Sequence, residues 1–234
     1  MLHYSHEGLI QRNTVLGKVL TFGGLGILVV ALVASLIRPD SIGVILPVSL
    51  VGMAMSQAGS IYMSRWNRRG RADLLLDEGL KGLDGRFSAC HFLLGTHHVL
   101  FGPPGIVALV PRSELGVVEF DDDRWWITGF RKGQPHGKRK ELIGLAEDAQ
   151  SAVRKLERRL RKVLPEHAGW PITAVLVFIG DGTRIEAEGS PLPAVHVKKL
   201  KDLVRRLPRQ PGPTEMDMAK LSATFPPSPA KKRP

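Results

Sequence analysis

The chain has 234 residues, a net charge of +11 and a single cysteine. One cysteine excludes an intramolecular disulfide and is typical of a reducing compartment. The length is sufficient for one globular domain of ordinary size beside a membrane segment, and the excess of lysine and arginine indicates an anionic neighbour.

Two long apolar runs lie near the N-terminus. Residues 20–37 and 42–64 contain no charged side chain, and helical stretches of 18 or more apolar residues are long enough to cross a bilayer. Neither run has a polar face at helical period, which argues against two buried core helices. The first run lacks the small-residue cleavage site of a signal peptide. The sequence therefore predicts a cytoplasmic N-terminus over residues 1–18 and a transmembrane hairpin over residues 19–64.

Basic residues flank this hairpin on its outer sides. Two precede the first run and four arginines follow the second, whereas the connecting loop has one arginine offset by one aspartate. The positive-inside rule then predicts a multi-pass protein of the cell membrane with both termini in the cytoplasm. Gly52, Ser56 and Ser60 fall at four-residue spacing, which predicts close helix packing either within the hairpin or in a homo-oligomer.

The rest of the chain predicts an α/β domain with a mixed sheet. Gly102-Pro103-Pro104-Gly105 indicates a tight reversal between two strands. After Pro208 the composition becomes rich in Pro, Ser, Lys and Thr, which predicts a disordered basic tail over residues 209–234. The expected elements are, in chain order, a helix over 71–83, strands over 87–94, 97–102, 106–110, 117–120 and 125–127, a helix over 147–164, strands over 172–179 and 184–187, and a helix over 196–207.

Basic clusters indicate where this domain meets an anionic partner. Residues 1–64 contain three basic and two acidic side chains, so +10 of the net charge lies beyond them. The long predicted helix has an apolar stripe and a basic outer face, and a basic loop precedes it. Nucleic acid and the anionic inner leaflet are both candidate partners, and a solvated loop is the alternative for residues 131–140. The candidate binding residues are Arg131, Lys132, Lys138, Arg139, Lys140, Arg154, Lys155, Arg158 and Arg159.

Residues 97–112, with the sequence HHVLFGPPGIVALVPR, resemble the core of the nuclease-related domain (NERD) family. That family has an Asp-His pair, an apolar strand, Gly-Pro-x-Gly, a second apolar strand and then Glu-x-Lys. Gly116 before an acidic turn and a tryptophan, and Gln150 in the long helix, also fall in family order. The resemblance covers residues 70–208. It implies a fold similar to restriction endonucleases, with a mixed sheet flanked by helices.

The same resemblance implies a metal-dependent hydrolytic site, and this chain departs from it at each key position. The family's aspartate, glutamate and lysine fall on His97, Val110 and Arg112. Magnesium requires oxygen ligands, and arginine cannot serve as a base because its pKa is above about 12. We therefore expect a catalytically inactive domain with no metal and no cofactor.

Two alternatives remain open. A displaced site built from Asp73, Glu114 and Glu119 would make the protein an active nuclease with Mg²⁺ as its cofactor. Alternatively, the protein is a structural membrane-assembly protein that forms oligomers through its hairpin.

Adjacent strand residues point to opposite faces, so His97-His98 predicts one partly buried histidine rather than a metal pair.

Overall fold

The computed structural model describes residues 1–5, 7–66, 71–94, 98–131, 134–164 and 169–224. The chain divides into two compact units. One unit is Glu7–Ala72, and the other combines Met1–His6 with Asp73–Pro234. The residues that precede the two long helices therefore belong to the same unit as the domain that follows them.

Two long helices form the first unit. Helix α1 spans Glu7–Ile37 and helix α2 spans Ile42–Trp66. Their apolar stretches, Gly8–Ile37 with a mean hydropathy of 2.5 and Ile42–Met63 with 1.6, are long enough to cross a membrane. Many of their large apolar side chains are exposed, which is favourable in lipid and unfavourable in water. Helix α1 begins at Glu7, within the segment over residues 1–18 that was predicted to precede the hairpin.

Glycines at seven-residue spacing bring α1 and α2 into contact. A Cβ atom on Gly24 would lie 2.5 Å from the Ser56 nitrogen, and a Cβ atom on Gly59 would lie close to the Thr21 backbone. A seven-residue repeat of contacts is typical of left-handed helix packing. Gly52 and Ser56 of the predicted four-residue stripe meet Gly24, whereas Ser60 is exposed, so part of that stripe lies in the contact within the hairpin. The glycine seam consists of Gly17, Gly24, Gly52 and Gly59.

The second unit contains most of the strands. The central sheet has the strand order β1-β2-β3-β4-β10-β12, and a second sheet has the order β11-β5-β6-β9. The strands are, in chain order, β1 (Leu2–Ser5), β2 (Ser88–His91), β3 (His98–Gly102), β4 (Gly105–Arg112), β5 (Val117–Asp121), β6 (Arg124–Thr128), β7 (Phe130–Arg131), β8 (Gln134–Pro135), β9 (Lys140–Glu141), β10 (Ile172–Phe178), β11 (Arg184–Glu186) and β12 (Ala194–His196).

The central sheet is mixed, as predicted. Strands β2, β3 and β4 are antiparallel neighbours, whereas β10 runs parallel to β4 and β12. The predicted reversal between β3 and β4 is present, and Gly105 adopts a φ of 80°, a conformation that favours glycine. At the other edge β1 pairs in parallel with β2. The sequence did not predict this edge strand.

Helices cover both faces of the central sheet. They are α3 (Ala72–Gly79), α4 (Leu145–Val163), α5 (Leu200–Arg206) and α6 (Glu215–Thr224). One core cluster joins α3 and α5 to the sheet through Leu76, Leu80, Leu200 and Val204, with Val107 and Leu109 of β4. The cluster on the other face joins α4 through Leu156 and Leu160, with Ile106 and Ala108 of β4. The predicted α/β architecture is therefore confirmed.

The segment after Pro208 corrects the predicted disordered tail. The Gln210 nitrogen donates to the Pro103 carbonyl at 3.3 Å, which places this segment across the β3–β4 reversal. Helix α6 follows, and its Leu221 side chain packs in the core cluster beneath α4. Burial of apolar side chains stabilises the helix there. Residues 225–234 lie outside the described residues.

A reciprocal capping interaction begins α6. The Thr214 backbone nitrogen donates to Asp217 Oδ2 at 2.9 Å. In return, the Asp217 nitrogen donates to Thr214 Oγ1 at 3.3 Å. This arrangement satisfies backbone donors that the first turn of a helix leaves unpaired.

Candidate functional site

Of the three positions that the NERD resemblance aligns with catalytic residues, the structure describes Val110 and Arg112, and both make structural contacts. Val110 is partly buried on β4 and packs against the core on the α4 side. Arg112 ends β4 and donates to Glu114 at 2.5 Å and to Asp148 of α4 at 2.6 Å. His97 lies outside the described residues. The guanidinium of Arg112 is therefore committed to two carboxylates, one of which is a candidate substitute ligand.

The three candidate substitute carboxylates do not meet at one point. Asp73 is buried on α3, and Glu119 of β5 pairs with Arg139 at 3.1 Å. In the part of the chain that the structure describes, one group of three or more His, Cys, Asp or Glu residues has ligand atoms within 4.8 Å of one another. That group contains none of Asp73, Glu114 and Glu119.

Helix α4 carries a dense basic face. Residues 154–162 include six basic side chains and one acidic side chain. The inward positions Leu156 and Leu160 are buried against the sheet, which turns the charged positions outward. The helix has acidic residues in its first turn and basic residues in its last turn, so part of this pattern stabilises the helix dipole. The exposed basic residues are Arg154, Lys155, Arg158, Arg159, Arg161 and Lys162.

The predicted basic loop contributes less available charge. Arg139 lies 4.7 Å from the ring centre of Trp126 and pairs with Glu119 at 3.1 Å and Asp121 at 3.0 Å. Its charge is thus balanced by residues of the β5–β6 hairpin. Two other residues predicted for this loop, Lys138 and Lys140, have exposed side chains. The side chains of Arg131 and Lys132 lie outside what the structure describes.

A cavity of about 410 Å³ lies beside α4 and β10. Its walls are largely apolar, and the side chains of Gln150 and Arg154 also line it. Arg154 Nη1 donates to Gln150 Oε1 at 3.4 Å. The cavity therefore joins an apolar hollow to a cation that belongs to the basic face of α4.

Three histidines and an aspartate form a hydrogen-bonded cluster on the α3 side of the sheet. His3 Nδ1 of β1 lies 2.7 Å from Asp77 Oδ1 of α3, and His91 Nε2 of β2 lies 3.0 Å from the same oxygen. The other ring nitrogen of His91 lies 2.8 Å from His98 Nδ1 of β3. One of these two nitrogens carries the shared proton, so one donates and the other accepts. We call His3, Asp77, His91 and His98 the histidine cluster.

The histidine cluster runs from solvent to the interior. The side chain of His3 is 43% exposed, that of Asp77 16% and that of His91 2%, and His98 is buried. Burial by itself raises the pKa of Asp77, but hydrogen bonds and charges from His3 and His91 outweigh it and hold this pKa well below its usual range. Asp77 is therefore a carboxylate anion at neutral pH.

Strand pairing assembles this cluster from distant parts of the chain. His3 and Asp77 are 74 positions apart, and His91 and Asp77 are 14 apart. Because the strand that carries His3 was not predicted, no pattern in the sequence placed these residues together. One signal was present: His91 and His98 lie on consecutive predicted strands, and they face each other across the β2–β3 pair.

Comparison with known proteins provides no relative. No protein-family model, no curated protein and no solved structure matches the chain. The NERD resemblance is therefore a hypothesis that rests on matching residues within 70–208, chiefly those of 97–112.

Proposed function

We propose that this protein is a membrane-anchored, NERD-like module that binds phosphate-bearing polyanions, either anionic phospholipid or nucleic acid, without hydrolysing them. The observation that carries this proposal is the exposed basic face of α4. Its six cations and one carboxylate lie within nine residues of one helix, which is more positive charge than solubility requires. A surface lined with phosphates would balance that charge.

Chain topology supports an anchor with both ends on one side of the membrane. Strand β1 precedes α1 and pairs with β2, which follows α2. The chain segments at the two ends of the hairpin thus belong to one folded unit. Two membrane spans are compatible with this, because a chain that crosses twice returns to the side on which it started. Basic residues flank the hairpin at these ends, and the positive-inside rule places them in the cytoplasm.

Contacts of Arg112 support the absence of hydrolysis. At the position of the family's lysine, Arg112 is held by Glu114 and Asp148, and a guanidinium does not accept a proton near neutral pH. Val110 offers no oxygen at the position of the family's glutamate, and Mg²⁺ requires oxygen ligands. The mixed sheet with helices on both faces agrees with the restriction-endonuclease-like fold that the resemblance implies.

The cavity beside Arg154 favours an amphiphilic anion. Its walls are mostly apolar, with a cation at one side, which suits a group that has both a phosphate and an apolar part. A hairpin in the bilayer also keeps the domain near lipid headgroups, and each basic residue near an anionic surface contributes on the order of 1 kcal/mol.

Binding of nucleic acid is tested with the full chain in nanodiscs of phosphatidylcholine. A fluorescent DNA duplex is titrated at several salt concentrations, and contacts with several phosphates give a steep log-log salt slope. Lys155→Glu combined with Arg158→Glu should weaken binding of the duplex by roughly tenfold or more, because two phosphate contacts become repulsive. Lys198→Glu combined with Lys199→Glu changes the charge equally on the α5 side and is the matched control. Equal losses in both variants would contradict a role for α4, and cleavage of the duplex with Mg²⁺ would contradict an inactive domain.

Binding of lipid is tested in a second arm. A Lys162→Cys variant carries an environment-sensitive fluorophore on α4, and Cys90 does not interfere because it is buried. If α4 contacts phospholipid, the emission shifts when phosphatidylglycerol replaces part of the phosphatidylcholine. A shift without DNA binding assigns the ligand to lipid, and DNA binding without a shift assigns it to nucleic acid. If neither the fluorescence shift nor DNA binding is observed, the proposal is rejected.

A further inference from the structure

We propose that His3, Asp77 and His91 bind a divalent transition-metal ion of the Zn²⁺ type, and that the ion fastens β1 to the rest of its sheet. One ligand atom from each residue lies within 4.8 Å of the other two. All three residues belong to the same compact unit. The site is separate from the polyanion-binding surface proposed for α4.

The donor set determines the class of metal. Two imidazole nitrogens and one carboxylate oxygen are ligands that zinc uses, and three protein ligands leave a fourth position for water or another ligand. Mg²⁺ prefers an all-oxygen set, whereas imidazole suits zinc, copper, iron and nickel. This site therefore differs in chemistry from the magnesium site that the family resemblance implies. It also lies on the opposite face of the sheet, since Val110 packs on the α4 side.

The distances require only small side-chain movements. Asp77 Oδ1 lies 2.7 Å from His3 Nδ1 and 3.0 Å from His91 Nε2. In a tetrahedral zinc site with bonds of about 2.0–2.1 Å, neighbouring ligand atoms are about 3.4 Å apart. The two separations from Asp77 would therefore grow by about 0.7 and 0.4 Å, and the nitrogens of His3 and His91, which now lie within 4.8 Å of each other, would also come to about 3.4 Å apart.

A supporting contact orients His91 from behind. His98 Nδ1 lies 2.8 Å from His91 Nδ1. In the described structure His91 Nε2 donates to the Asp77 carboxylate, so binding of the ion would require the proton to leave Nε2. His91 would then carry its proton on Nδ1, donate it to His98 and turn its Nε2 lone pair toward the ion. Metal-binding histidines are usually oriented in this way by a partner at the second ring nitrogen. Phe92 packs its ring on His98 with centres 5.0 Å apart and adopts a φ of 63°. Such backbone strain in a bulky residue is often retained at functional positions.

The exposed fractions of the ligand side chains indicate the route by which the ion reaches the site. His3 is 43% exposed at the edge of the sheet, whereas His91 is 2% exposed. The ion would therefore reach the site from the His3 side. Once bound, it would join β1 to β2 and α3, and so hold the segment that precedes α1 against the domain that follows α2.

The test measures metal binding by the tag-free full chain, because a histidine tag near Met1 would compete with His3. The protein is purified in detergent, stripped with a chelator and titrated with Zn²⁺ in competition with a chromophoric chelator. We expect one equivalent of Zn²⁺, and with Co²⁺ the visible absorption bands of a tetrahedral site. His3→Ala should weaken binding by at least about tenfold, and His98→Gln, which keeps all three ligands, by about 10- to 100-fold.

His136→Ala is the matched control, since His136 is exposed and is not part of the cluster, and it should leave binding unchanged. Bound Zn²⁺ should also slow hydrogen exchange in residues 2–5 of the wild-type protein and not of His3→Ala. His3 is an exposed residue of an edge strand, so its replacement tests the site even if His91 variants fail to fold. Wild-type protein that binds no Zn²⁺, or that binds it as His3→Ala does, would overturn the proposal.

Discussion

Cys90 illustrates how strand alternation determines the environment of a single side chain. It lies between Ala89, which faces α3, and His91 of the histidine cluster, so its own side chain faces the core beneath α4. Burial raises the pKa of the Cys90 thiol to about 12. A thiol that stays protonated at neutral pH is a weak nucleophile, which agrees with the prediction of a small buried hydrophobic residue.

Cys90 should therefore resist alkylation by iodoacetamide near pH 8 until the domain unfolds. Its pKa is raised from about 8.5 in an unfolded chain, so the stability that its protonated form contributes is complete below that pH. This contribution is lost as the pH rises toward 12. The free energy of unfolding, measured in denaturant between these pH values, should fall less steeply in Cys90→Ala than in the wild type. Rapid alkylation of the folded protein would contradict this.

Environments of single residues were predictable where local pattern decides them. His97-His98 was predicted to contain one partly buried histidine; His98 is buried, and His97 lies outside the described residues. The partners of His98 could not be predicted, because His91 reaches it only through strand pairing. The partners of Arg112 could not be predicted either. Its charge is evident from the sequence, but its ion pair with Asp148 depends on how α4 packs on the sheet.

At the scale of elements, strong periodicity or uniform apolarity gave correct predictions. Helix α4 and strand β10 were both expected within two residues of their observed bounds. Strand β1 could not be predicted, since four residues carry no clear alternation and become a strand only by pairing with β2. Helix α6 was missed for a different reason. Its Thr214-x-x-Asp217 capping pattern was present in the sequence, but the surrounding proline-rich composition outweighed it.

That cap gives a prediction for α6. Thr214→Ala removes the hydroxyl that accepts from the Asp217 nitrogen, and loss of such a cap costs about 1 kcal/mol. Hydrogen exchange in residues 215–224 should become faster, with little change in β4. Asp217→Ala should have a similar effect, and the double variant should cost less than the sum because both residues form one cap. Fully additive losses would contradict a reciprocal cap.

The glycine seam gives a prediction for the helical hairpin. A side chain at Gly24 meets the backbone of α2 at 2.5 Å, whereas a side chain at Gly26 meets nothing within 4 Å. Gly24→Leu should therefore separate the helices, at a cost of about 1–3 kcal/mol or more. Gly26→Leu adds the same apolar volume where there is space and is the matched control. Thermal unfolding in detergent micelles should show a lower midpoint for Gly24→Leu alone, and equal midpoints would contradict the seam.

At the scale of the whole molecule, the two long helices interrupt a folded unit. Local composition was sufficient to predict the hairpin. It could not reveal that residues 1–6 and the chain from Asp73 onward form one unit, because that depends on a parallel pairing between segments more than eighty positions apart. The histidine cluster depends on the same pairing, because β1 carries His3 and β2 carries His91. The sequence therefore predicted the two long apolar helices and the basic helix α4, and missed the histidine cluster, whose residues come from both sides of the hairpin.

This interrupted arrangement leads to a prediction about membrane topology. If α1 and α2 cross the bilayer with both ends in the cytoplasm, the loop at Pro39–Ser41 lies on the opposite side from α4. In intact cells, a membrane-impermeant maleimide should label Ser41→Cys, whereas it should label Lys162→Cys only after permeabilisation. The wild type provides the background, since its single cysteine is buried. Labelling of Lys162→Cys alone in intact cells would place the domain outside. Labelling of both variants, or of neither, would place the loop and the domain on the same side and would mean that the hairpin does not cross the membrane. Because β1 pairs with β2 across the hairpin, an arrangement with only one span would have to break the edge of the central sheet.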